Sequence, residues 1–265
     1  MNEAKKEFIK DTKGAFKKYI NCRFDPNNMD LLKAAVLQGY DDAKRTFTGI
    51  GSKKSLEDKT FWEKNEKDKF LGFVATKIQK TFCGICDFDE IHNKICVKIC
   101  EWFSDRSFEA NYGQAQKILN MAYKYLYCLS GAECYEVFKK CHMPLDGFTL
   151  EWYKRFVWEK EKPRIYADSK WSSLEQSTYR GVAEAIKEHL ENGARFYVKG
   201  AERDLPVYPL DAEFYIWPEM QMHMAAESFL FSFKALTTDE KKAWKKDANA
   251  RNKLVEIQKA IHDYL

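Results

Sequence analysis

Lys117 and Asp146 are the side chains of this sequence whose types and spacing could do chemistry together. Lys117 closes Asn111-Tyr-Gly-Gln-Ala-Gln-Lys117, and Asp146 closes His142-Met-Pro-Leu-Asp146. The apolar period predicts a helix from Gln114 to Leu129 with Lys117 in its first turn. There the partial positive charge of unpaired N–H groups disfavours a second positive charge, so the amine is easier to deprotonate. A neutral amine is what attacks carbon to form a Schiff base, and desolvation in a pocket pushes the same way. Gly113 permits a tight turn whose N–H groups can approach a phosphate without obstruction. Asp146 follows Pro144 and precedes Phe148, Leu150, Trp152 and Phe156, a pattern that predicts a helix cap with the second carboxylate oxygen facing a cleft.

Each residue also has a plainer reading. A lysine near a helix start is ordinarily a solvated side chain, and an aspartate after proline is ordinarily only an N-cap. Lys124 is an alternative nucleophile, because 124 − 117 = 7 positions returns it to the same helical face. Ile118, Leu119, Ala122, Leu126 and Leu129 form the expected core stripe of that helix.

The two segments resemble the helix-hairpin-helix DNA glycosylases, in which a Gly-x-x-x-Lys hairpin precedes a helix and a Pro-x-Asp follows. Here these read Gly113-Gln-Ala-Gln-Lys117 and Pro144-Leu-Asp146. The long separation, together with Gln116-Lys117-Ile-Leu-Asn-Met121-Ala-Tyr-Lys124-Tyr125, is most similar to the divergent archaeal 8-oxoguanine branch. Ala115 stands where the family's hairpin has a second glycine, and Glu109-Ala-Asn-Tyr112 where it has Leu-Pro-Gly. The resemblance covers residues 85–160 and implies a helix-hairpin-helix catalytic region. It also implies a Lys117 nucleophile assisted by Asp146, DNA contacts from Gly113, Gln114 and Gln116, and no cofactor or metal. The implied partner is double-stranded DNA carrying an oxidised or otherwise modified base, which is flipped out for excision by a monomer, in repair or in defence against modified foreign DNA. Trp217, Asp211 and Glu213 are candidate base-pocket residues reaching in from outside this region. A non-catalytic helical module that binds nucleic acid or protein is the competing expectation. A ribonuclease needing an arginine a few residues from a histidine is not supported by His92, His142, His189, His223 or His262.

The elements that must hold these residues are read as mostly helix. With 265 residues, 45% hydrophobic and 15% aromatic, the chain can bury a large core, and 12 glycines and 6 prolines argue against a turn-rich β fold. The expected fold is mainly α, one compact unit over 1–265 of two closely packed helical lobes with a cleft between them. Helices are expected near 3–20, 28–44, 57–82 with a break left open, 88–104, 114–129, 132–140 and 146–160, with a linker over 161–171. A Ser172/Glu175 capping box should open a helix ending at Asn192-Gly193, and a last helix should start near Thr237 or Thr238. The stretch 196–218, with Pro206, Pro209 and Pro218, reads as the least regular.

Eight cysteines include Cys83-Gly-Ile-Cys86, with His92, Cys96 and Cys100 downstream. A zinc or iron–sulfur site needs a second pair at suitable spacing, so Cys96 and Cys100 read as small apolar core residues. No apolar run is long enough to span a bilayer and no signal segment is seen, so a cytoplasmic protein without structural disulfides is expected. A net charge of +4 permits DNA binding without demanding it. The basic residues concentrate at Lys5–Lys18 and Lys241–Lys253, where a phosphate-contacting surface and a solvated helix face are both open readings.

Overall fold

In the computed structural model the protein is described over residues 3–10, 12, 14–47, 56–83, 87–158, 169–198, 201–235 and 237. Among these residues the chain is mainly helical: α1 (Glu3–Lys10), α2 (Met29–Ala43), α3 (Leu56–Phe61), α4 (Lys67–Thr81), α5 (Phe88–Ser104), α6 (Tyr112–Tyr127), α7 (Val137–Lys140), α8 (Gly147–Trp152), α9 (Gln176–Glu191) and α10 (Pro209–Ala235). A two-stranded antiparallel hairpin, β1 (Arg195–Val198) and β2 (Ala201–Asp204), precedes α10, with Arg195 opposite Asp204. Cys86, most of the expected 161–171 linker and the basic run 241–253 lie outside the described residues.

α6 is the axis of the fold, buried at every position from Tyr112 to Leu126 although it carries two lysines, two glutamines and an asparagine. Its apolar residues are tightly enclosed: Ile118, Leu119, Ala122 and Leu126 have no exposed surface. α2 packs along it at a glycine, since a Cβ on Gly39 would lie 2.4 Å from the Ile118 carbonyl oxygen. A central helix with a polar face must find partners for that face inside the protein, because an unpaired buried polar group costs roughly 1–3 kcal/mol. This requirement assembles the site. The apolar side chains form one continuous core running from Ile9 to Met220.

Several elements differ from the sequence expectation: 3–20 divides into α1 and a 3-10 turn, Gly14–Tyr19, 132–140 into a 3-10 turn, Ala132–Cys134, and α7, and 146–160 into α8 and a π-helical turn, Tyr153–Val157. Residues 57–82 run from α3 through a π-helical turn, Trp62–Glu66, into α4, with Trp62 wholly buried against Phe70 and Phe103. Ser172 does not cap α9. It belongs to a 3-10 turn, Trp171–Ser173, that packs on α6, and Glu175 precedes the helix without a side-chain cap. The stretch 196–218 is ordered as the hairpin and the start of α10: Pro209 takes the first helical position, where its missing N–H does no harm, and the helix continues through Pro218. The Asn192-Gly193 stop is present, with Gly193 at φ +82°.

Candidate active site

α6 opens two residues earlier than expected, at Tyr112, with the Asn111 N–H donating to Gln114 Oε1 at 2.8 Å. Lys117 is therefore in the second turn. Because the helix-terminal field falls off within the first turn, it does little for this amine. What governs Lys117 is its partner: Nζ lies 2.8 Å from Asp146 Oδ2, with side chains only 7% and 13% exposed.

Asp146 divides its two oxygens between two tasks. Oδ1 accepts from Phe148 N (3.0 Å) and Thr149 N (3.2 Å), capping α8, while the Asp146 N–H donates to Thr149 Oγ1 at 2.8 Å. Oδ2 accepts from Lys117 and, at 2.9 Å, from the Trp217 indole N–H. Burial pushes this carboxyl up, but the Lys117 charge and hydrogen bond, with those from Thr149 and Trp217, outweigh it and hold the group below the ordinary carboxylate value. Asp146 is thus a fixed anion facing an amine.

The segment that delivers Asp146 is pinned by α6. Gln116 Nε2 donates to the Leu145 carbonyl at 2.8 Å, and Gln116 Oε1 accepts from Leu145 N at 3.2 Å. Asn120 Nδ2 donates to Gln116 Oε1 (3.0 Å) and to the Tyr179 hydroxyl (2.9 Å), and its Oδ1 lies 2.8 Å from His92 Nε2. His142 Nδ1 meets the same hydroxyl at 2.9 Å, and His142 Nε2 lies 2.7 Å from Asp89 Oδ1. Asp89 is held below the ordinary carboxylate value, first by that hydrogen bond. An anion there fixes the imidazole proton on Nε2. Asn120, Tyr179, His92 and Asp89 are positioning residues that sequence reasoning did not assign. The one signal was a run of polar residues, 114, 116, 117, 120 and 124, on a helix rich in apolar and aromatic residues.

The expected phosphate contacts are corrected. Gly113 is inside α6, its N–H donates to the Leu174 carbonyl at 3.0 Å, and a Cβ there would lie 1.9 Å from the Trp171 carbonyl oxygen. The glycine serves a close helix–turn approach and leaves no N–H for a phosphate. Gln114 Nε2 donates to the Thr46 carbonyl at 2.8 Å, and the wholly buried Gln116 is spent on Leu145. Neither side chain faces outward to DNA.

Of the residues expected to reach in from outside, Trp217 joins Asp146 directly and sets its ring edge-on to Phe148, with centroids 5.3 Å apart. Glu213 is wholly buried and pairs through Oε2 with Lys124, whose ammonium also lies 4.0 Å from the Phe8 ring centre. Glu213 Oε1 has no hydrogen-bond partner among the described residues. Burial raises the Glu213 carboxyl above its ordinary value, against the lowering pull of Lys124. Asp42, which accepts from the Tyr125 hydroxyl at 3.0 Å, is raised by burial too, against the pull of Lys117. Asp211 lies apart from the Lys117 pair, bound to Lys5 (3.1 Å) and the Tyr127 hydroxyl (2.9 Å). Asp211 and Glu213 are thus each paired with a lysine, Lys5 and Lys124.

Among the described residues no three His, Cys, Asp or Glu side chains gather to hold a metal ion. Cys96 is buried in the core, and Cys100 packs against it. No helix of the described residues is long and apolar enough to cross a membrane. In comparisons with protein families, curated proteins and solved structures, the chain matches none.

Proposed function

We propose that this protein is a DNA glycosylase with lyase activity, acting as a monomer on double-stranded DNA to excise an oxidised or otherwise modified base. The observation that carries the reading is the 2.8 Å pairing of Lys117 with Asp146, an amine and a fixed anion brought together across 29 positions of sequence. In this reading residues 85–160 form the catalytic region, and two helical lobes close on the duplex. The target base is flipped out, because C1′ cannot be reached inside the stack. Breaking the C1′–N bond sends its electron pair to the base and leaves positive charge on the sugar, which anionic Asp146 stabilises. Lys117 supplies the rest. Of its three ammonium protons, one leaves with the base, one ends on the ring oxygen as the sugar opens, and one stays on the iminium nitrogen. Charge balances without metal or cofactor. The pair is nearly enclosed, so the sugar reaches it only after groups around Asp146, Trp217 among them, give way.

That same enclosure favours a second reading, a non-catalytic helical binding module in which the pair is structural. Borohydride trapping on duplexes carrying a panel of modified bases separates the two. The glycosylase reading expects a covalent adduct that disappears in Lys117→Gln and falls sharply in Asp146→Asn. An adduct that survives Lys117→Gln and disappears when Lys124 is replaced moves the nucleophile to Lys124. No adduct and no base release on any duplex favours the module.

A further inference from the structure

The fold divides the basic run at the start of the chain. Lys5 is buried on Asp211 and the Tyr127 ring, and Lys6 is bonded to Glu3, whereas Lys17 and Lys18, in the 3-10 turn Gly14–Tyr19, are exposed. The chain leaving that turn meets two further segments. The Phe24 N–H donates to the Ser130 carbonyl at 2.8 Å, and the Phe24 ring lies 5.1 Å from that of Phe82, just past the end of α4. Arg23 is laid along the backbone at Gly131, where a Cβ would come within 3.1 Å of its Nε. Lys77 and Lys80, three positions apart in the last turns of α4, share one helix face. Lys17, Lys18, Arg23, Lys77 and Lys80 thus belong to segments that converge at Phe24. We infer that this basic face carries the phosphate backbone of a nucleic-acid duplex. The choice of duplex DNA rests on the reading proposed above.

A solvated helix face looks different in this protein. Lys6, Lys44, Lys69, Lys94, Lys98 and Lys139 each hold a carboxylate three or four positions away, at 2.5–3.0 Å. None of the five converging cations has a carboxylate within 4 Å among the described residues. The sequence supplies none nearby: no acidic residue occurs in 12–24, 69–86 or 126–132. The flanking acids are Asp25, Asp87 and Glu133, and the first two accept backbone N–H groups of their own turns, from Asn27 at 2.9 Å and Glu90 at 3.2 Å. Uncompensated positive charge spread over a surface is what a polyanion recognises.

Other anions fit less well. None of the five cations lines the cleft of about 430 Å³ between α5, α7 and α9, so they do not converge there on a small phosphorylated ligand. An interfacial membrane contact adds apolar side chains to its lysines, and no large apolar side chain of these segments is exposed. The face is also tied to the helix bearing the proposed nucleophile, since Thr81 Oγ1 lies 3.0 Å from the hydroxyl of Tyr123, six positions after Lys117 on α6.

The test is fluorescence anisotropy of a labelled, unmodified DNA duplex with the whole protein over a series of salt concentrations. With all five cations on phosphates, log K should fall against log salt with a slope of roughly −4 to −5. Lys17→Gln, Lys18→Gln, Arg23→Gln and Lys80→Gln should each make the slope shallower by about 1 and weaken binding roughly three- to tenfold at physiological salt. Lys94→Gln and Lys98→Gln, which remove paired lysines, should leave the slope unchanged. Circular dichroism checks that every variant is folded. An unchanged slope in the fourfold variant, an equal effect of the two controls, or no duplex binding at all overturns the inference. So does binding to phosphatidylserine vesicles, lost with the same four side chains, when the duplex does not bind. Trapping reads Lys117 separately: an adduct formed at the native rate by the fourfold variant removes this face and leaves the glycosylase. Duplex binding that depends on the four side chains, with no adduct and no base release, keeps the face and removes the glycosylase.

Discussion

Gln116 holds Leu145 as a neighbouring β-strand would, donating to its carbonyl at 2.8 Å and accepting from its N–H at 3.2 Å. One side-chain amide thereby fixes the backbone immediately before Asp146. Gln116→Leu leaves both Leu145 groups without these partners in a buried place and takes one acceptor from Asn120, which is expected to lower unfolding stability by at least about 2 kcal/mol in denaturant titrations. Because it also frees Asp146 to drift, adduct formation should fall roughly a hundredfold in the fraction that remains folded. A variant that loses stability yet traps at the native rate would detach Gln116 from the chemistry.

Gly113 is fixed by the Trp171 turn. A methyl group at 1.9 Å from a backbone oxygen cannot be relieved by turning a side chain, so Gly113→Ala must displace the turn and the Leu174 hydrogen bond with it. Thermal unfolding should report a loss of about 1–3 kcal/mol. If instead the loss appears only as weaker DNA binding, with stability untouched, the glycine faces phosphate after all.

What the sequence makes legible follows from how local each signal is. α5 runs from Phe88 to Ser104, the bounds its pattern predicts, because the Asp87 cap and the spacing of Ile91, Ile95 and Ile99 are all within one helix. The convergence of Lys117 and Asp146 is anticipated from the two short motifs that end on them, Gly113–Lys117 and Pro144–Asp146, although Lys117 falls in the second turn of α6 and not at its start. The tasks of Gln114 and Gln116 cannot, since their partners, Thr46 and Leu145, lie 68 and 29 positions away and leave no trace in the neighbouring residues. The hairpin 195–204 escapes for a related reason. Its strands are four residues each, β2 is exposed throughout, and the prolines after it read as breakers although one merely starts α10.

The anionic state of Asp146 sets a pH dependence. Its folded value lies below the ordinary carboxylate value, so the stability it contributes is fully present above that range, near pH 4, and is lost as pH falls through the folded value. The stability difference between the native protein and Asp146→Asn should therefore be largest at neutral pH and shrink below about pH 4. Asp42 and Glu213 act with the opposite sign, because burial raises both and their ionisation opposes folding as pH rises through their folded values. A native–variant difference that is flat from pH 7 to pH 3 would mean that Asp146 gains nothing from Lys117.

Lys124 and Glu213 distinguish a structural pair from a catalytic one. Both are almost wholly buried, so Lys124→Met leaves a carboxylate without its cation and should destabilise by about 3–5 kcal/mol. Removing both charges in Lys124→Met/Glu213→Leu takes away two desolvation penalties at once, and most of that stability should return. The double variant can then be tested for trapping on a folded background. Since Lys117 keeps Asp146, and Asp146 keeps the Trp217 indole N–H, in that protein, the adduct should persist at a rate near the native one. Loss of the adduct in a stable double variant would make Lys124 the attacking amine and reduce the Lys117–Asp146 pair to the cap of α8.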